Sequence, residues 1–398
     1  MLQQSDFKFA KIPENLTKES IDEEIQRLKI LKVDYKNFDE ANKRLFNSIY
    51  GVLGYIGFIC YDRQIAETVT LQSQDTLKYA IVTFNEYFTD IWNTGEIQKL
   101  IGVEKWQPNY DKVVNYADTD SVFAVIQKLY DGCEFEGDFT DFFLAIYNSH
   151  LSAYLVDKMR KYVDIFNGFH NKPTGAESFV IEFEQICHTV LWTSKKKYIK
   201  VPSWEKHKKI KALDDIVVKG LTINQSSTPK FVREHLRDTV RIILSMGKNI
   251  DIYKVIGKLS EIKDQFRTTD IQNICMVERI SNWNKYVIDD KKEMIAGSGA
   301  KPHIKGAIFH NYKLYQSEYL SKYNPIKDGS RVCWYYTKNS AVASFSFTPY
   351  EYPVEINPPE IDLNMQFESM IINPLNTILN AIGIQKLNAN LMVETGIW

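Results

Sequence analysis

Two aspartates, Asp118 and Asp120, sit two residues apart in "NYADTDSVFA". Val113 and Val114 precede them, and Val122, Phe123 and Val125 follow, so the pair lies at the tip of what reads as a buried hairpin. If one strand runs through both, alternation puts them on the same side. Carboxylates that close repel, and each resists ionising. A divalent cation reverses that cost. Mg²⁺ takes one or two carboxylates and keeps waters and substrate phosphates as its other ligands. The tip therefore predicts an open metal site that handles phosphates. An ordinary acidic turn is the competing reading, because Asp and Thr are common turn residues; Tyr116 before and Ser121 after favour the metal. Downstream, Glu182 and Glu184 share one face of "FVIEFEQI", and Ile181 and Phe183 share the other. Glu184 is the better candidate to reach the metal region, and Glu182 suits a solvent-facing edge.

A second constellation lies in "NKRLFNSIYGVLGY". Wound as a helix, it gathers Lys43, Asn47, Tyr50, Gly51 and Gly54 on one side and Ala41, Leu45, Ile49, Val52 and Leu53 on the other. The apolar side reads as core. The first side joins a cation, an amide, an aromatic ring and two glycines, each glycine costing a helix interior about 1 kcal/mol against alanine. Either something flat, such as a base pair, lies against that backbone with Lys43 on its phosphates, or another helix packs closely there. A third feature is "KKKYIKVPSWEKHKKIK", residues 195–211, with eight Lys and one Glu. A local charge of +7 on a chain of net charge −1 points to one polyanion-facing surface, with a solvated face as the alternative. Tyr198 and Trp204 interleave with the cations and favour binding.

These features need a sizeable scaffold, and 398 residues with 44% hydrophobic content supply one, divided into two or three subdomains. The five cysteines are scattered without a CxxC, which argues against disulfides or a zinc site and fits a reducing cytoplasm. No apolar run approaches the length of a membrane span, and the N-terminus reads as no signal peptide. Ser20-x-x-Glu23 predicts a capping box opening a helix over 21–33. A second helix is expected over 40–54, a long one over 63–92, the hairpin, and more helix over 138–164. Strands are expected over 177–186 and 190–201. After the polar "LTINQSSTPKF", Thr228 as N-cap and Pro229 as first helical residue open a helical stretch to about 270. A helical pattern at 364–381 closes the chain. The class is α+β, with small antiparallel sheets carrying the Asp pair and a more helical second half.

Taken together, these residues carry a family resemblance. Lys43-x-x-x-Asn47-Ser48-x-Tyr50-Gly51 resembles the fingers-helix motif of family B DNA polymerases. Tyr116-Ala117-Asp118-Thr119-Asp120-Ser121 resembles their palm motif, with Ala where many members have Gly, and "TSKKKYI" resembles their Lys-Lys-Arg-Tyr motif, with Lys197 for Arg. "YDRQIAETVTLQSQ", "GLTINQSSTPK" and "KPHIKGAI" resemble the T-even bacteriophage replicative members, and the similarity covers essentially the whole chain. The resemblance implies a partial family B polymerase: the end of the fingers at 1–55, palm at 56–221 and a mostly helical thumb at 222–398. It makes Asp120 the principal carboxylate bridging two Mg²⁺ ions, Asp118 a secondary ligand and Glu184 a neighbour of the metals. It puts Lys43 on the phosphates of an incoming dNTP, with Asn47, Tyr50, Gly51 and Thr119 lining the nucleotide site. Lys196, Lys197 and Tyr198 would meet the primer end, and Lys230, His303 and Lys305 the backbone of primer–template DNA. The reaction would be in-line attack of a primer 3′-OH on an α-phosphate.

Part of the family pattern is missing. The other palm motif, Asp-x-x-Ser-Leu-Tyr-Pro-Ser, would precede Lys43, and nothing in the first 42 residues spells it. The exonuclease Asp-x-Glu motif is absent as well. One strand's carboxylates cannot clamp two cations about 3.5–4 Å apart. The sequence therefore predicts the C-terminal subunit of a split polymerase, inactive until an N-terminal polymerase/exonuclease polypeptide completes it; a fragment of a longer polymerase fits nearly as well. A replicative role implies a sliding clamp, although "NANLMVETGIW" spells no clear clamp peptide. The location would be cytoplasmic, in an infected bacterial host if viral. The alternatives are a non-catalytic, polymerase-derived subunit that holds duplex DNA, and an unrelated metal-dependent phosphotransferase.

Overall fold

The computed structural model describes residues 18–169, 181–205, 208–210, 216–247, 249–287, 289, 297–338, 340–349, 351–384 and 386–387. The N-terminal stretch, the start of the expected strand at 177–180, part of the Lys-rich stretch and the C-terminal peptide lie outside the described residues. The architecture mixes helices with small antiparallel sheets and falls into two compact units, residues 1–181 and 182–398.

The first unit opens with one continuous helix, α1 (Lys18–Leu53). The expected break between two helices is absent because 34–39 contains neither Gly nor Pro to end the hydrogen-bond ladder. Helix is already under way at Lys18, so Ser20 does not cap it. The side bearing Leu45 and Ile49, expected to be core, is exposed: no layer of the described residues covers it. α2 (Arg63–Glu86) begins on an Asp62 cap, whose carboxylate accepts from Ile65 N at 3.0 Å, and runs on through a π-helical turn at Tyr87–Ile91. The short α3 (Glu96–Leu100) follows, and then the hairpin of β1 (Val114–Asp118) and β2 (Ser121–Ala124). α4 (Gln127–Asp131), α5 (Phe139–Ile146) and α6 (Ser152–Phe169) complete the unit, the last two joined by a second π turn at Tyr147–Leu151. Its core is strongly aromatic. Trp92 and Phe142 meet edge-on at 6.1 Å, Phe135 and Phe142 at 5.3 Å, and Tyr87 and Phe88 are fully buried beside them. Edge-to-face contact matches the positive ring edge to a negative face.

In the second unit β3 (Gln185–Ser194) and β4 (Lys197–Glu205) form a long antiparallel pair, with β5 (Lys208–Lys209) and β6 (Val217–Lys219) added along β4. Strand pairing begins only at Gln185, so Ile181–Glu184 precedes the sheet rather than belonging to it, although Glu182 and Glu184 do face solvent. α7 (Lys230–Ser245) and α8 (Ile252–Thr268) share one core with β3, β4 and β6. α7 starts one residue later than expected. Pro229 holds the cap position, and the Thr228 hydroxyl donates to Thr222 O at 2.7 Å instead of capping the helix.

After α9 (Ile271–Ile274), β7 (Met276–Arg279), α10 (Trp283–Tyr286) and α11 (Pro302–Tyr315) come β8 (Arg331–Tyr336) and β9 (Ser344–Phe347), which join β7 in a three-stranded sheet. α11 lies very close to β9. A Cβ on Gly306 would stand 2.8 Å from the Phe345 carbonyl carbon, and the Ser344 and Ser346 hydroxyls donate to Pro302 O and His303 O. α12 (Leu363–Phe367), a π turn at Glu368–Ile372 and α13 (Asn373–Ala381) return to the first core of this unit.

Candidate functional site

The Asp pair sits where a two-residue loop closes the hairpin. Asp118 is the last residue of β1 and faces Ser121 across the ladder, so Thr119 and Asp120 form the loop and no single strand runs through both acids. Their nearness comes from the turn rather than from strand alternation. Thr119 adopts φ 56°, a left-handed conformation costly for a β-branched residue, and Asp120 N donates to Asp118 O at 2.6 Å. The Thr119 hydroxyl donates to Asp118 Oδ1 at 3.2 Å, and Ser121 Oγ to Asp118 O. Asp118 is half-buried, and Thr119 and Asp120 are exposed. The result is two acceptor groups presented on an open tip.

What aims this tip is a residue the motif does not contain. Asn85, in the last turn of α2, accepts through Oδ1 from both Val113 N at 2.9 Å and Val114 N at 3.1 Å. The hairpin base is thereby bolted to the helix beneath it. Asn109 and Asn93 extend the brace: Asn109 N donates to Asn93 Oδ1, and Asn109 Nδ2 donates to Phe88 O and Asp111 O. Across the strands Tyr116 and Phe123 meet edge-on at 5.6 Å. An Asn amid "AIVTFNEYF" was the available sequence signal.

On α1, Lys43 is largely exposed and pairs with Asp39 at 3.3 Å. Tyr50 is exposed, its hydroxyl 2.6 Å from Thr70 Oγ1 on α2. The two glycines separate in role. A Cβ on Gly54 would meet Ala66 at 3.8 Å, an ordinary helix–helix contact, whereas a Cβ on Gly51 meets nothing within 4 Å. Asn47 is exposed on the same helix. Lys43, Asn47 and Gly51 thus lie on an open stretch of helix.

In the second unit the lysines of 195–197 make the β3–β4 turn, and Ser194 faces Lys197 across it. Lys196 takes φ 62°, and Thr193 Oγ1 donates to Lys197 O at 3.0 Å. Tyr198 lies 4.9 Å from Trp192. Gly220 runs directly beneath: with φ 67°, its Cβ would stand 2.3 Å from Lys196 O, so only glycine fits. Glu184 is exposed, one residue before β3. Lys230 begins α7, exposed and 3.7 Å from Glu234. On α11, Lys305 is exposed but His303 is buried, and that burial lowers its pKa and favours the neutral ring.

Among the described residues no group of three or more His, Cys, Asp or Glu converges to hold a metal ion. Asp118 and Asp120 offer the oxygen ligands Mg²⁺ prefers, but as a pair.

The model for DNA polymerase family B matches residues 17–131 and 149–310, which takes in α1, the hairpin, the lysine turn and most of α11. The chain belongs to DNA polymerase family B. Its relatives include the DNA-directed DNA polymerase of Enterobacteria phage T4, 25% identical over 288 residues, 68% of this chain and 29% of the relative. The DNA-directed DNA polymerase of Escherichia phage RB69 is 24% identical over 308 residues, 74% of this chain and 31% of the relative. The DNA polymerase catalytic subunit of Saimiriine herpesvirus 2 (strain 11) is 23% identical over 205 residues, 51% of this chain and 16% of that relative. The chain spans less than a third of the length of any of the three. No helix of the described residues is long and apolar enough to cross a membrane.

Proposed function

We propose that this chain is the C-terminal part of a template-directed DNA polymerase, completed by a second polypeptide that carries the exonuclease and the missing palm aspartate. The observation that carries this reading is the open tip: two carboxylates presented on a braced hairpin, with no third ligand among the described residues. Asp120 and Asp118 would hold the metal. Bound Mg²⁺ would lower the pKa of the primer 3′-OH and offset charge on the leaving pyrophosphate.

The remaining roles belong to side chains. Lys43 supplies a cation to the triphosphate of the dNTP, exchanging its exposed partner Asp39 for phosphate oxygens at little cost. Gly51, with nothing above its Cα, leaves room for the flat face of the nascent base pair, flanked by Asn47 and Tyr50. Thr119 shapes the loop between the two acids. The Lys196–Lys197 turn and Tyr198 would contact the primer end, and Lys230 and Lys305 the DNA backbone by point-charge contact. Buried and neutral, His303 would act by supporting α11 rather than by pairing with phosphate. We assign residues 1–55 to the fingers, 56–221 to the palm and 222–398 to the thumb.

The test is primer extension. The chain alone should give none, and mixing with the exonuclease-bearing polypeptide should restore it. Asp120→Ala in the mixture should abolish extension while leaving duplex binding intact. Robust extension by the chain alone would overturn the split reading, and unchanged extension by Asp120→Ala would overturn the catalytic one.

A further inference from the structure

The lysine turn and the start of α7 are joined by more than the chain between them. β6 pairs with β4 just past the turn, Tyr198 facing Lys219 and Ile199 facing Val218, and Gly220 then passes beneath Lys196. Residues 221–229 lead from there to Lys230, where α7 begins. Near its end this loop is tied back to its start, the Thr228 hydroxyl donating to Thr222 O at 2.7 Å. Farther along α7, Arg237 reaches back to the strand. Its Nη2 donates to Ile216 O at 2.9 Å and its Nη1 to Asn224 Oδ1 at 3.3 Å. Asn224 passes the contact on, its Nδ2 donating to Val218 O at 2.9 Å. One guanidinium thus grips the chain both before β6 and after it. The planar fork of arginine, with donors in fixed directions, suits two acceptors on different segments.

The spacing along α7 gives this bracket a consequence. Lys230 and Arg237 both lie on α7, about 20° short of two full turns apart and roughly 10 Å apart along the axis. The side of the helix that carries Lys230 is therefore the side that Arg237 ties to the sheet. Apolar packing of Val232 and Leu236 with Leu221 and Ile223 holds α7 in place, but such packing has no direction of its own. The hydrogen bonds of Arg237 supply the direction. We propose that Arg237, acting with Asn224, is a positioning residue that fixes the spacing between the Lys196–Lys197 turn and Lys230. Both cationic points then meet phosphates of one duplex at the same time. Two linked contacts reinforce each other only while their separation matches that of their targets. The inference rests on the DNA-contact reading above and adds what holds those contacts in step.

The probe is a fluorescent primer–template duplex, bound by the full chain and followed by anisotropy over a salt series. The slope of log Kd against log salt counts the phosphates neutralised together, about 0.9 for each. Arg237→Met and Asn224→Ala should each raise Kd roughly tenfold. Each should also reduce the slope by about one contact. Arg237→Lys, which keeps the charge and reaches one acceptor, should recover part of both. A fold that is merely less stable lowers the fraction of chain that binds and leaves the slope alone, so an unchanged slope overturns the inference. Asn224→Ala removes no charge. If it binds as the unmodified chain does while Arg237→Met does not, Arg237 acts on DNA through its own charge and the positioning role is overturned. Lys196→Gln and Lys230→Gln separate the two readings. If they change neither Kd nor slope, the DNA-contact reading fails and takes the inference with it. If they weaken binding while both bracket variants match the unmodified chain, the inference alone fails.

Discussion

His310 shows what single side chains cost in this interior. It sits on α11 against Phe345, 1% exposed, and among the described residues neither ring nitrogen finds a hydrogen-bond partner. Burial lowers its pKa to about 4, and the nearby Ser346 backbone works weakly the other way. The unfolded chain, with His near 6.5, therefore binds a proton between those values that the folded chain refuses, and stability falls as the pH drops through that window. The full loss corresponds to on the order of 3 kcal/mol. Urea unfolding midpoints should decline from pH 7 to pH 4.5, and His310→Leu should flatten the decline. An equal slope in the variant would assign the acid sensitivity elsewhere. No motif hinted at this residue, because an apolar burial site for a histidine is set by which elements pack together.

At the scale of elements, two small devices hold the candidate site in shape. Asn85 satisfies two backbone N–H groups at the hairpin base, and Val113 there is buried. Asn85→Leu would strand both donors, at about 1–3 kcal/mol for each buried one, and should lower the thermal midpoint and impair extension in the reconstituted assembly more than Asp138→Ala, a helix cap on α5. Gly220 props the lysine turn from below. Gly220→Ala forces a left-handed alanine, about 1–2 kcal/mol, and drives its Cβ into Lys196 O. Weakened primer-duplex binding should follow, measurable by fluorescence anisotropy. The hairpin was legible because apolar patterning and turn chemistry are local; the β3–β4 turn was not, since the strand expected over 190–201 runs through the lysines where the chain in fact reverses between Ser194 and Lys197. Asn85 and Gly220 were not, because their partners lie 28 and more than 20 residues away in sequence and only the fold supplies them. The same limit explains the merged α1: nothing local stops the helix, and propensity alone carries it across 34–39.

At the scale of the molecule, family membership was readable from three ordered motifs, whereas burial was not. The apolar side of α1 looked like core in sequence and proves to be surface, since periodicity reports that a face wants covering but not which chain covers it. Aromatic residues make up 13% of the chain, and part of them go into the edge-on cluster around Phe142. One mechanical consequence follows from the unbroken α1. At 36 residues it is roughly 54 Å long, and it is anchored near Gly54 by its contact with α2. A tilt of roughly 10° at that pivot would sweep the far tip through about 9 Å while displacing Tyr50, one turn from the fulcrum, by about 1 Å. α1 is therefore a lever with a long handle: a push on its distal end arrives beside Gly51 as a fine adjustment.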